Sequence, residues 1–121
     1  MRASEIGRRG ELAAAEHLRR AGCEILTANY RTRQGEIDIV ASDGRYLLFV
    51  EVKTRRSGSL IAPREAVDAG KRRRLILAAQ AYLAGHPTRP QPRFDVIEVE
   101  TEPGPDFCVR CIRQIPDAFG V

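Results

Sequence analysis

A chain of 121 residues, 43% hydrophobic and 30% charged, is long enough to bury a core without disulfide or metal staples, and it reads as one domain over 1–121. No apolar run approaches the ~20 residues that span a bilayer, and the Arg- and Glu-rich N-terminus has no apolar stretch of signal-peptide type, so a cytoplasmic protein away from membranes is expected. The net charge of +4 and a pI near 9.3 favour polyanionic partners.

Residues 4–21 read as a helix, with Ser4 as N-cap and Gly22 as terminator. Its inward stripe includes Ala14, Ala15 and Leu18, and Glu11 falls on that same apolar face, where an unpaired carboxylate is costly. A first strand follows over 24–31, then a loop over 32–35. Two β-branched runs on either side of Asp43-Gly44 predict a tight hairpin. Gly, Ser and Pro between 57 and 63 read as a surface loop, and Pro63 as the start of a second helix running to 84, with Gly70 dividing it. Strands are expected over 93–101 and 107–112, with a turn over 102–106 and a tail whose Phe119 anchors on the body. Helix, three strands, helix, two strands: the order predicts an α/β layer with a mixed sheet and helices packed on it.

The hairpin carries the chemistry. With Asp43 and Gly44 as the loop, Ser42 faces Arg45, Val40 faces Leu47, Asp38 faces Phe49 and Glu36 faces Glu51. Residues two apart share a side, so Glu36, Asp38, Glu51 and Lys53 line one face, and Ile37, Ile39, Leu48, Val50 and Val52 the other. The carboxylates of Asp38 and Glu51, with the Val52 carbonyl and waters, suit octahedral Mg²⁺ or Mn²⁺. Such an ion lowers the pKa of a bound water and neutralises charge on a phosphate. Lys53 is placed to orient that water or steady the phosphate, and Glu11 to join as a further ligand, directly or through water.

Other residues have plainer readings beside them. Glu36 is a ligand, a base behind the ligands, or simply exposed. Gln80, in an apolar helical stretch, either supports the site from behind or packs elsewhere. Asp95 is expected in a buried pair with an arginine. Cys108 and Cys111 lie three apart on a strand and point to opposite sides, so with Cys23 they are read as free thiols. Arg33, Arg55, Arg56, Lys71, Arg72, Arg73 and Arg74 are the candidate phosphate contacts, although a basic helical run is also an ordinary solvated face.

Asp38 with Glu51-x-Lys53 resembles the PD-(D/E)xK nuclease signature, with Ile37 at the nominal proline position, and a helical acid such as Glu11 is typical of its Holliday-junction-resolvase branch. The whole chain is similar to the YraN-like family of bacterial proteins, predicted endonucleases. The likeness runs through Arg9-Gly10-Glu11, Asn29-Tyr30-Arg31, Gly35-Glu36-Ile37-Asp38, Phe49-Val50-Glu51-Val52-Lys53-Thr54-Arg55 and Arg93-Phe94-Asp95-Val96. It implies a restriction-endonuclease-like core, Mg²⁺ or Mn²⁺ dependence and a DNA substrate, branched or single-stranded. A homodimer would match the two-fold symmetry of resolvase substrates. The rival expectations are a non-catalytic nucleic-acid-binding or adaptor protein that keeps the fold, and an RNA or nucleotide phosphodiesterase.

Overall fold

A computed structural model describes residues 1–57 and 68–120. Helix α1 spans Ala3–Arg20, followed by strands β1 (Glu24–Arg31), β2 (Glu36–Ser42) and β3 (Tyr46–Arg56), helix α2 (Ala69–Gly85), and strands β4 (Gln91–Thr101) and β5 (Val109–Phe119). The expected loop beyond Ser57 and the expected helix start at Pro63 lie outside the described residues. The strands stand in the sheet in sequence order; every neighbouring pair is antiparallel except β3 and β4. A parallel pair requires a crossover, and α2 lies on that connection.

Local chemistry explains where the elements begin and end. Arg2, not Ser4, stands at the N-cap of α1 and makes no side-chain cap. Gly22 closes the helix in the left-handed region at φ +93, with its N–H on Arg19 O at 3.0 Å and that of Cys23 on Leu18 O at 2.9 Å. Asp68 caps α2, accepting from Lys71 N at 2.8 Å, so Gly70 is the second residue of α2 rather than a break inside it.

The last strand runs seven residues past the expected end at 112, through Pro116. Asp95 makes this feasible. Its buried carboxylate accepts from Arg93 Nε and Nη2 (2.8 and 2.9 Å), from Gln114 Nε2 (2.8 Å) and from Asp117 N (3.1 Å). That holds the irregular segment between Ile115 and Phe119 on β4, with Asp117 at φ +50. Phe119 then stacks on Phe94 with ring centroids 5.0 Å apart, so the expected anchor is part of the sheet.

Each face of the sheet buries its own core. Under α2, Leu75, Ala78, Ala79 and Tyr82 meet Val40, Leu47, Phe49, Phe94 and Val96. Under α1, Ala14, Ala15 and Leu18 meet Ile39, Leu48, Val50, Val52, Ile97 and Val99. The observed hairpin register differs from the two-residue-loop expectation: Ser42 pairs with Leu47 and Val40 with Phe49. The Asp43 carboxylate captures the N–H groups of Arg45 (2.9 Å) and Tyr46 (2.7 Å), which draws two more residues into the turn. A slip of two preserves the alternation, so Asp38, Glu51 and Lys53 keep a common side. Ile37 does not follow: it packs under α2, away from Ile39. The ladder between β2 and β3 ends at Ile39 and Val50, and Val52 N–H donates to Asp38 Oδ2 at 2.8 Å. With that donor taken by a side chain, the strands part and β2 turns its next residue the other way.

Candidate functional site

The site forms where β2 and β3 separate. A pocket of about 410 Å³ is lined there by Glu11, Glu36, Asp38, Glu51, Val52, Lys53, Lys71 and Arg74, with Gly35 and Leu75 at its wall. Asp38 comes from β2, Glu51 and Lys53 from β3, Glu11 from α1 and Lys71 from α2. Because the strands part, an acid on the helix of one layer and a lysine on the helix of the other reach one space.

Two glycines permit this approach. A Cβ on Gly10 would stand 1.8 Å from Thr54 Oγ1, so only a bare Cα lets α1 lie close enough to β3 for Glu11 to enter. A Cβ on Gly35 would stand 2.7 Å from the Arg74 carbonyl oxygen, so the first turns of α2 sit directly on the entry to β2. Each glycine neighbours a pocket residue.

The electrostatics are those of crowded acids with ammonium groups among them. Asp38 and Glu51 are 8% and 5% exposed. Burial first, then the neighbouring Glu51 and Glu11, push the Asp38 carboxyl up to about 8, against the opposing Val52 N–H. Burial also raises Glu11, helped by Glu36 and Glu51 and opposed by a hydrogen bond with Asn29. Glu51 Oε1 contacts Lys71 Nζ at 2.5 Å and Lys53 Nζ at 3.4 Å. Burial, with Lys71 beside it, lowers the Lys53 ammonium. Burial would lower Lys71 too, but its contact with the Glu51 carboxylate outweighs this and raises it.

Hard oxygen donors are what Mg²⁺ and Mn²⁺ take, and Asp38, whose carboxyl is raised by burial and by the neighbouring acids, is the group a cation would satisfy. Among the described residues no three acidic, imidazole or thiol side chains lie together so as to enclose an ion unaided. The fitting set is therefore Asp38 and Glu51 with the Val52 main chain and water; Glu11 suits a water-bridged place.

The remaining expected residues are distributed unevenly. Glu36 lines the pocket but is exposed and pairs with Arg31 at 3.4 Å. Gln80 is corrected: it is exposed on α2, one residue past the buried pair Ala78 and Ala79, and does not line the pocket. Arg55 is also moved, since it forms an internal ion pair with the fully buried Glu98, which Arg113 meets from β5 at 2.5 Å. Arg72 lies with its guanidinium 5.6 Å from the centre of the Phe119 ring. Arg33, Arg56, Arg73 and Arg74 are exposed. Lys71, expected on an outer phosphate track, is inside the pocket; the signal for this was Asp68, whose capping fixes where α2 starts. Asn29 is a further residue, beside Glu11, that spacing alone did not single out. It holds φ +54, a conformation asparagine tolerates better than most, and its side chain bonds Glu11. Cys23, Cys108 and Cys111 are free thiols, as expected.

Fold and pocket together define an α/β protein in which a mixed five-stranded sheet, flanked by two helices, gathers acids and lysines where two strands part. This architecture is consistent with a restriction-endonuclease-like core. The chain belongs to the uncharacterised protein family UPF0102, the YraN-like family, whose pattern matches residues 10–99. It is 53% identical over 115 residues to a UPF0102 protein of Symbiobacterium thermophilum, covering 94% of this chain and 95% of that one. A UPF0102 protein of Syntrophotalea carbinolica is 57% identical over 95 residues (78% and 77% covered), and one of Chlorobium chlorochromatii 44% over 119 (97% and 92%). Among the described residues no helix is long and apolar enough to cross a membrane.

Proposed function

We propose that this protein is a metal-dependent phosphodiesterase that cleaves DNA, with branched or single-stranded DNA as substrate. One observation carries the reading: acids from α1, β2 and β3 share a pocket with two lysines, one of them on a strand beside the acid it contacts. Asp38 and Glu51 would hold Mg²⁺ or Mn²⁺, with the Val52 carbonyl beside them and Glu11 reaching through water. The ion supplies an acidified water and charge neutralisation at the phosphate. Lys53, half-buried and held by Glu51, orients the attacking water or meets the charge that grows on the phosphate. The Val52 N–H keeps Asp38 aimed into the pocket. Arg74 at the pocket, with the exposed Arg33 and Arg73, would supply the electrostatic hold on the backbone.

Purified protein with Mg²⁺ or Mn²⁺ is expected to nick end-labelled branched or single-stranded DNA, and Lys53→Ala to abolish nicking with circular dichroism unchanged. Equal cleavage by the two proteins would assign the activity to a contaminant and end the proposal. A second reading, a non-catalytic nucleic-acid-binding protein, draws on the contact that already neutralises Glu51, the Lys71 ammonium at 2.5 Å. It expects salt-sensitive DNA binding through Arg73 and Arg74, no heat on Mn²⁺ titration and no turnover.

A further inference from the structure

The chain contains two lysines, Lys53 and Lys71; all its other basic side chains apart from two histidines are arginine. Both lysines sit in the acidic pocket, and both ammonium groups contact the same oxygen, Glu51 Oε1. The selection has a physical sense. An ammonium is a compact point charge on a flexible stem that changes partners readily, whereas a guanidinium locks a carboxylate in a planar fork. Arginine is used where this protein fixes a buried acid permanently, as with Arg93 on Asp95. Lysine is used where the acid has another partner to take.

The two lysines are not equivalent. Lys53 leaves β3 two residues from Glu51 and lies 3.4 Å from its oxygen. Lys71 comes from the first turn of α2, is 33% exposed at its side chain, and makes the shorter contact at 2.5 Å. Its backbone is pinned by the Asp68 cap and by the seating of Arg74 on Gly35, so its side chain can swing while its Cα stays put. We infer that Lys71 is a tethered counter-ion: it occupies Glu51 while no divalent cation is present, is displaced when one binds, and is then directed toward the phosphate of the substrate. This rests on the metal-dependent reading of the pocket. Lys71 is thus a positioning residue whose contact sets how tightly the site takes its ion.

The test is calorimetric titration of Mn²⁺ into the full-length protein, comparing wild type with Lys71→Gln and Lys71→Arg at fixed pH and ionic strength. Lys71→Gln is expected to bind Mn²⁺ more tightly by about tenfold or more, the scale of removing one like charge a few ångströms away in a partly screened pocket. Lys71→Arg, which keeps the charge, is expected to stay near wild type or weaker. A second readout uses the scarcity of lysine. Amine acetylation followed by peptide mass spectrometry should show Lys71 protected without metal and several-fold more reactive with Mg²⁺, relative to the N-terminal amine. Equal Mn²⁺ affinity in wild type and Lys71→Gln, or metal-independent reactivity of Lys71, overturns the counter-ion role while leaving the metal site standing. Absence of Mn²⁺ heat in all three proteins overturns both the role and the metal-dependent reading.

Discussion

Asp38 is the residue on which the pocket's energetics turn. Its carboxyl is raised from 3.8 to about 8 in the fold, so the folded state holds a proton that the unfolded chain releases near pH 4. The sign follows directly: this group favours the folded state most below pH 4, and that contribution is lost as pH rises through about 8. Asp38→Asn keeps an oxygen for the Val52 N–H and carries no charge. It is expected to raise the thermal midpoint by a few degrees at pH 8 and to leave it nearly unchanged at pH 4, read by scanning calorimetry without divalent metal. A variant that lowered the midpoint at pH 8 and not at pH 4 would show the ionised carboxylate to be a stabiliser. The common side of Asp38, Glu51 and Lys53 was legible because alternation along a strand survives a slip of two. The side taken by Ile37 was not, since it depends on one side chain, Asp38, replacing a main-chain partner of Val52.

At the scale of elements, two helices converge on one strand pair, and a missing Cβ admits each. Gly35→Ala places a carbon against a main-chain oxygen that cannot rotate away, so the N-terminal turns of α2 must retreat. The expected cost is about 1–3 kcal/mol in chemical denaturation, the usual scale of overpacking. Lys71 would retreat with α2, so amine labelling of Lys71 should rise even without metal. Unchanged stability and labelling would show that the helix is not held by that contact. The sequence made α1, β1 and the hairpin readable, because their periodicity and Asp-Gly turn are local signals. It did not single out Asp68 as the cap of α2, nor the full extent of β5, because neither has a periodic signature. Asp68 is one acid in a stretch of mixed charge, and only its bond to Lys71 N marks it. The Asp95 carboxylate holds a segment through Pro116 that looks like a chain end when read alone.

For the whole molecule, the asymmetry of charge matters more than its sum. Acids and lysines line the pocket together with Arg74, while Arg33 and Arg73 are exposed to solvent. On the proposed DNA substrate, replacing these three arginines with glutamine should weaken binding uniformly across sequences. It should also reduce the slope of log K against log salt by about 2–3, near one for each phosphate no longer neutralised. A slope unchanged within error would remove these arginines from the binding surface. Finally, the two outer strands bear on self-association. β1 departs from regular pairing between Ile25 and Thr27, and β5 does so at both ends of its register with β4. Pro116 has no N–H to offer a neighbouring chain, and irregular margins of this kind discourage a second molecule from adding its own strand. Pairing of two copies through their outer strands would have to overcome these margins.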